Sequence, residues 1–265
     1  MDAKLNKKNL EILYRKFNKR KYVHPDPLEF LYEYKSPDDR EIVGLVASSL
    51  AYGRVAQILK SVSYVLNIMG ASPSLFLKNA SHKTLQKKLK GFKHRFATGD
   101  KLSAMLMGAK NIIEEYGSLY ECFLAGLKKN DETIVRAMSF FAEKITGSAH
   151  DNPGHLIPLP EKGSACKRMN LFLRWMVRKD DVDPGGWEKI PSSKLIIPLD
   201  THMHQICLRS GMTVRKQANM RTALEITSGF KKLVPDDPVR YDFALTRLGI
   251  RDDADPDDFF KIAEN

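Results

Sequence analysis

Apolar residues recur along this chain at the i, i+3, i+4, i+7 spacing of one helix face. The spacing occurs in Leu10-Leu13-Phe17, in Ile42-Leu45-Val46-Ser49-Leu50 and in Ile58-Val62-Val65-Leu66-Met69. It returns in Leu102-Met105-Leu106-Ala109-Ile112-Ile113 and in Leu171-Phe172-Trp175-Met176. A period near 3.6 turns one side of each segment inward and leaves the other in water. The punctuation agrees. Ser36-Pro37-Asp38-Asp39 sets a capping hydroxyl, then a proline with no N–H to lose, then acids at the positive helix end. Asp26-Pro27, Ser72-Pro73 and Asp237-Pro238 repeat the device, and Gly70, Gly117, Gly147 and Gly211 stand where helices should stop. Alternation of period two is nearly absent. Lys194–Leu199 is the one strand candidate, short and interrupted by Pro198. The pattern predicts an all-α fold of about a dozen helices. Two long loops, residues 147–163 and 179–198, flank a helix expected to begin near Cys166, and long loops in a compact domain tend to carry function.

Composition narrows the classes. A length of 265 residues admits one large domain or two modest ones. With 43% hydrophobic and 28% charged residues, a disordered chain is excluded. The 43 Lys and Arg against 32 Asp and Glu leave a formal charge of +11, which favours a polyanionic partner, nucleic acid before an anionic membrane surface. The charge is uneven: residues 251–265 hold six acids and two bases, so the preceding 250 residues carry +15. Phe259 and Phe260 in that acidic tail suit a short last helix tacked onto the body. Cys122, Cys166 and Cys207 are far apart and form no CxxC pair, which argues against a disulfide framework, a four-cysteine zinc site or an iron–sulfur cluster and suits a reducing cytosol. The basic N-terminus has no apolar core of signal-peptide length, and no run approaches 18 apolar residues, so no membrane span is expected.

Two segments carry candidate chemistry. In Gly163-Ser164-Ala165-Cys166-Lys167-Arg168 a turn of small residues opens an amphipathic helix. Free backbone N–H groups at such a turn suit a phosphate. Lys167 falls in the first helical turn, where the dipole, Lys162 and Arg168 all disfavour a further positive charge and so favour the neutral amine that a nucleophile must be. A solvated lysine is the plainer reading of these residues alone. In the second segment, Asp200 follows an apolar, proline-containing lead, Ile196-Ile197-Pro198-Leu199, and precedes a helix. It reads as an N-cap, as a rigidly held acid/base group facing a cleft, or as both. His202 and His204 lie two apart, which on a helix points them to different faces, and no histidine follows, so no metal site is expected.

These segments resemble the helix-hairpin-helix DNA glycosylase superfamily, the group of endonuclease III and the 8-oxoguanine glycosylases. The hairpin of that family reads Leu-Pro-Gly-x-Gly-x-Lys; here Leu159-Pro160 is followed by Gly163, Ala165 and Lys167. Its aspartate segment, Val-Asp-x-His, is similar to Leu199-Asp200-Thr201-His202-Met203. Gly91–Phe96 resembles the Gly-x-x-x-Arg-Ala segment of the 8-oxoguanine enzymes, and the following Ala104–Tyr116 and Gly117-Ser118-Leu119 continue the likeness. Val46–Arg54 resembles the early core helix whose end approaches the extruded base. Together the likeness runs from about residue 41 to 250. Four departures stand against it: Ala165 at a glycine position, the extra Glu161-Lys162, a gap of 33 residues from Lys167 to Asp200, and no C-terminal cysteine cluster. The gap is similar to that of an archaeal 8-oxoguanine group. The Tyr52-Gly53-Arg54 and Lys167–Arg178 runs also resemble a bacterial family of conserved proteins with no assigned activity.

The resemblance implies a two-lobed helical fold, with residues 41–194 as a central lobe holding the hairpin and residues 1–40 plus 195–265 as the second. It implies a base-excision glycosylase with AP-lyase activity, acting on an oxidised purine such as 8-oxoguanine in double-stranded DNA. Lys167 would be the Schiff-base nucleophile and Asp200 the catalytic carboxylate. Gly163, Ser164, Ala165, Arg168, Lys93, Arg95 and His202 would contact DNA. Tyr52, Leu171 and Phe243 are base-pocket candidates by neighbourhood, with ordinary core as the alternative for each. Trp187, in the second long loop, either stacks on a base or anchors the loop. No organic cofactor, iron–sulfur cluster or metal is expected, a monovalent cation at the hairpin is admitted, and the chain is expected to be a cytoplasmic, nucleoid-associated monomer. The alternative is a non-catalytic DNA-binding protein on a glycosylase scaffold; the presence of both Lys167 and Asp200 argues against it. The principal structural expectation is that these two side chains meet in a cleft.

Overall fold

A computed structural model describes residues 5–147 and 151–250; the acidic tail with Phe259 and Phe260 lies outside the described residues. Twelve α-helices occur among them, and the fold is all-α. Helix α1 (Lys7–Phe17) is capped by Asn6 and buries Leu10, Leu13 and Phe17, the stripe its periodicity predicted. Helix α2 (Pro37–Ser49) is buried on almost every side from Glu41 to Ser49, as a helix apolar all round must be. A 3-10 segment, Pro27–Glu33, opens on the Asp26 cap and lies against α2. Helices α3 (Val55–Met69), α4 (Pro73–Asn79) and α5 (His82–Lys88) follow, and Gly70 ends α3 at a φ of +76°, where a side chain would be strained. A two-stranded hairpin, β1 (Lys93–His94) and β2 (Ala97–Thr98), pairs Lys93 with Thr98 and His94 with Ala97.

Helices α6 (Gly99–Tyr116), α7 (Leu119–Gly126) and α8 (Val135–Gly147) pack on one another. Helix α9 (Lys167–Val177) runs against α2, and a side chain at Gly44 would come within 3.1 Å of the Phe172 ring, so glycine sets that close approach. Helices α10 (Thr201–Arg209), α11 (Met220–Leu233) and α12 (Asp242–Ile250) complete the chain, with α1 and α10 both packed on α12. The buried apolar residues of the beginning, middle and end of the chain join in one connected core.

Three expectations are corrected. Asp237-Pro238 opens no helix: the Asp237 carboxylate accepts from Arg178 Nε at 3.0 Å, and the next helix begins at Asp242. Lys194–Leu199 is no strand. Leu195–Leu199 are buried but form no regular secondary structure, and the Ile197 N–H donates to the Thr227 hydroxyl at 3.1 Å rather than to a neighbouring strand. Trp187 stacks on no base. It is 1% exposed among Tyr120, Phe123 and Phe172, and its indole N–H donates to Glu41 Oε1 at 3.0 Å. The indole is the anchor that folds the 179–198 loop back onto α2 and α7.

Candidate active site

The start of α9, the end of α2 and the start of α10 converge on a cavity of about 710 Å³. Lys167 is the first residue of α9. Two left-handed residues aim it: Gly163 at φ +77° and Cys166, the N-cap, at φ +48°. Ala165, the residue in place of the hairpin's second glycine, is buried and carries no positive φ, so the left-handed step falls on Cys166 instead. The Lys167 amine lies 3.4 Å from the Ala51 carbonyl, just past the C-terminus of α2. It also lies 3.8 Å from Asp200 Oδ2.

Asp200 caps α10. Its Oδ1 accepts the Met203 N–H at 2.9 Å, which leaves Oδ2 turned to Lys167. The buried lead Leu195–Leu199 fixes the approach of the backbone. Lys167 and Asp200 are 32% and 34% exposed, so a substrate can reach both. An ion pair that wet contributes about 0–1 kcal/mol, so stability does not account for the pairing. Two helix N-termini meet here, and their dipoles favour an anion at the cavity mouth. Cys166 also lines the cavity, but burial pushes its thiol up to about 11, which removes a competing thiolate at neutral pH.

The other expected residues divide. Tyr52, Leu171 and His202 line the cavity, and the His202 Nε2 has no hydrogen-bond partner. Leu171 sits one turn beyond Lys167 on the same face of α9. Gly163 and Ser164 are exposed on the hairpin, but the Gly163 carbonyl is engaged by the Met220 N–H at 3.2 Å. Lys93 and Arg95 are exposed on the β1–β2 hairpin. Arg95 adopts φ +51° and its stem lies on Gly53, where an added Cβ would come within 2.9 Å of it. Phe96 at the same tip is 69% exposed.

Arg168 is spent inside the protein. It donates to the Ser49 carbonyl at 2.8 Å and to the His155 carbonyl, and its guanidinium lies 4.8 Å from the Tyr52 ring centre. It braces the α9 turn on the end of α2. Phe243 does not line the cavity; it is 1% exposed between Arg174 and Arg247. His204 turns away from His202 and bonds the Arg215 carbonyl at 2.7 Å.

Tyr52 is held by two histidines. It donates to the His94 carbonyl at 3.0 Å and accepts from His155 Nε2 at 2.9 Å. His94 in turn donates from Nε2 to the Tyr52 carbonyl at 3.0 Å and accepts the Ser61 hydroxyl at Nδ1 at 2.9 Å. Burial lowers both imidazoles below the usual histidine range.

The floor of the cavity holds residues that the sequence reading missed. Arg174 lies two turns from Lys167 on the same helix face, a spacing that offered a signal. Asp242, Arg247 and Asp26 come from distant segments and offered none. Arg174 Nη1 donates to Asp242 Oδ2, while Asp242 Oδ1 is buried with no partner. Burial pushes the Asp242 carboxyl up to about 6, against the pull of Arg174. Arg247 Nη2 meets Asp26 Oδ2 at 2.7 Å. Among the described residues no group of three or more His, Cys, Asp or Glu side chains could hold a metal ion, and no helix is long and apolar enough to cross a membrane.

Fold and site together define an all-α protein with a lysine–aspartate pair at the mouth of a polar-floored cavity. The chain belongs to the family described as protein of unknown function DUF2400, which matches residues 26–251. No curated protein and no solved structure matches it.

Proposed function

We propose that this protein is a DNA base-excision glycosylase with AP-lyase activity, acting on an oxidised purine in duplex DNA. The observation that carries the reading is the 3.8 Å approach of the Lys167 amine to Asp200 at the mouth of the cavity, across a gap of 33 residues in sequence. A base inside a duplex is out of reach, so the target nucleotide must be extruded into the cavity. As the C1′–N9 bond breaks, positive charge grows on the sugar, and the Asp200 carboxylate stabilises it. Lys167, once its ammonium has given up a proton to solvent, forms the new bond from Nζ to C1′. Asp200 accepts the proton that the nitrogen then sheds and passes it to the departing base. Ring opening gives an imine, which permits β-elimination and strand scission.

The hairpin supports the same reading: its exposed Gly163 and Ser164 stand beside the nucleophile, where a phosphate flanking the lesion would lie. The cavity floor adds an acceptor, Asp242 Oδ1, within a pocket large enough for a purine. One observation favours the non-catalytic reading. The 3.4 Å bond to the Ala51 carbonyl gives Lys167 a structural occupation at the end of α2.

Borohydride trapping on a duplex carrying one 8-oxoguanine decides between them. The expected result is a covalent adduct with the wild type and none with Lys167→Gln. Binding to the lesion duplex with no adduct and no alkali-labile site would overturn the enzymatic reading and leave the binder. Alkali-labile sites without an adduct would keep the glycosylase and remove the lyase.

A further inference from the structure

We propose that the turn Thr213–Ala218 is a second phosphate-binding element, which carries the DNA footprint from the hairpin onto the start of α11. The proposal rests on the glycosylase reading. The turn is attached directly to the hairpin: Asn219 forms an antiparallel bridge with Ser164, and the Met220 N–H donates to the Gly163 carbonyl. Its tip is laid open. Val214, Arg215, Lys216, Gln217 and Ala218 are all exposed, Val214 to 86%.

Exposed tips are usually loose, but this one is braced from below. The Thr213 hydroxyl donates to Glu225 Oε1 at 2.7 Å and accepts the Arg215 N–H at 3.1 Å. His204 donates to the Arg215 carbonyl at 2.7 Å, and the Thr222 hydroxyl donates to the Gln217 carbonyl at 2.6 Å. The Arg215 guanidinium is taken by Glu225 at 2.5 Å. Lys216 and Arg221 are both exposed, and neither forms an ion pair within 4 Å among the described residues; Glu225, one turn beyond Arg221, is committed to Arg215 and Thr213. A stiff, cationic turn joined to an anion-binding hairpin loses little freedom when a backbone docks. The turn presents unpaired positive charge and no groove, so it fits a phosphate backbone rather than base edges.

The test is the salt dependence of duplex binding by the full chain. Titrations use an 8-oxoguanine duplex and its undamaged counterpart for the wild type, a Lys216→Ala, Arg221→Ala double variant, and a Lys231→Ala, Lys232→Ala control. The control removes the same charge about 16 Å further along α11. Two lost phosphate contacts should lower the slope of log K against log salt by about 1.8, so that the wild type's advantage shrinks about 12-fold between 50 and 200 mM salt. The loss should be equal on the two duplexes and absent from the control. A slope unchanged in the double variant, or lowered equally in the control, overturns the second element while a positive trapping result leaves the enzyme standing. Absence of salt-dependent duplex binding by the wild type overturns both.

Discussion

Trp187→Phe tests whether the long loop before Asp200 is an anchored part of the fold. The indole N–H donates to Glu41 Oε1 at 3.0 Å, while Glu41 Oε2 accepts the Leu119 N–H at 2.8 Å, so both carboxylate oxygens are committed in a site where Glu41 is 5% exposed. Phenylalanine keeps the ring among Tyr120, Phe123 and Phe172 but removes the donor and the second ring. An orphaned, buried carboxylate oxygen costs about 1.5–3 kcal/mol. The missing ring atoms, with the void they leave, cost about 1.5 kcal/mol more. The sum of about 3–4.5 kcal/mol should lower the Tm by about 5–8 °C for a chain of this size. The assay is thermal melting by circular dichroism at pH 8, run as a double-mutant cycle with Glu41→Gln. In the Glu41→Gln background the cost of Trp187→Phe should fall by more than about 1 kcal/mol, because the two side chains share one bond. A Tm drop under about 2 °C, or additive effects in the cycle, would refute the anchoring argument.

Asp200 caps α10 and is assigned chemistry, and Asn separates the two roles. Asp200→Asn should hold the Tm within about 2 °C, because Asn caps as well as Asp, yet abolish excision; Asp200→Ala should also cost about 1 kcal/mol in urea unfolding. Excision retained by Asp200→Asn would reduce Asp200 to a cap. The pH dependence of stability follows from two buried carboxyls. Burial pushes Glu41 up to about 7 from 4.5 and Asp242 up to about 6 from 3.8. The folded state therefore holds protons that the unfolded chain has released, so this contribution is full below about pH 4 and is lost as pH rises through about 6 to 7. Urea midpoints of the wild type should fall relative to those of Glu41→Gln between pH 5 and pH 8, and a gap that stays constant over that range would contradict the assignment.

The helical class was legible because nearly every element carries its own stripe, as Leu10-Leu13-Phe17 does, and because glycines such as Gly70 and Gly117 sit at left-handed stops. What escaped was set by partners far away in sequence. Asp237-Pro238 has the local form of a helix start, but Arg178 holds that carboxylate. Lys194–Leu199 has the composition of a strand, but among the described residues it pairs with no strand. The candidate site divides on the same line. Lys167 and Asp200 were legible because a helix N-terminus has a local signature, a turn of small residues in one case and a capping acid in the other. Asp242, Arg247 and Asp26 were not, since only the packing of α12 on α10 and the ion pairs of Arg174 with Asp242 and of Arg247 with Asp26 bring them to one floor. Arg168 shows the same limit: its charge is visible in sequence, but the carbonyls of Ser49 and His155 that it engages are not. The 33-residue gap between lysine and aspartate spans the chain that Trp187 pins to Glu41. A stretched connection can therefore return Asp200 to Lys167 as reliably as a short one, provided the anchor holds, and Trp187→Phe tests that proviso.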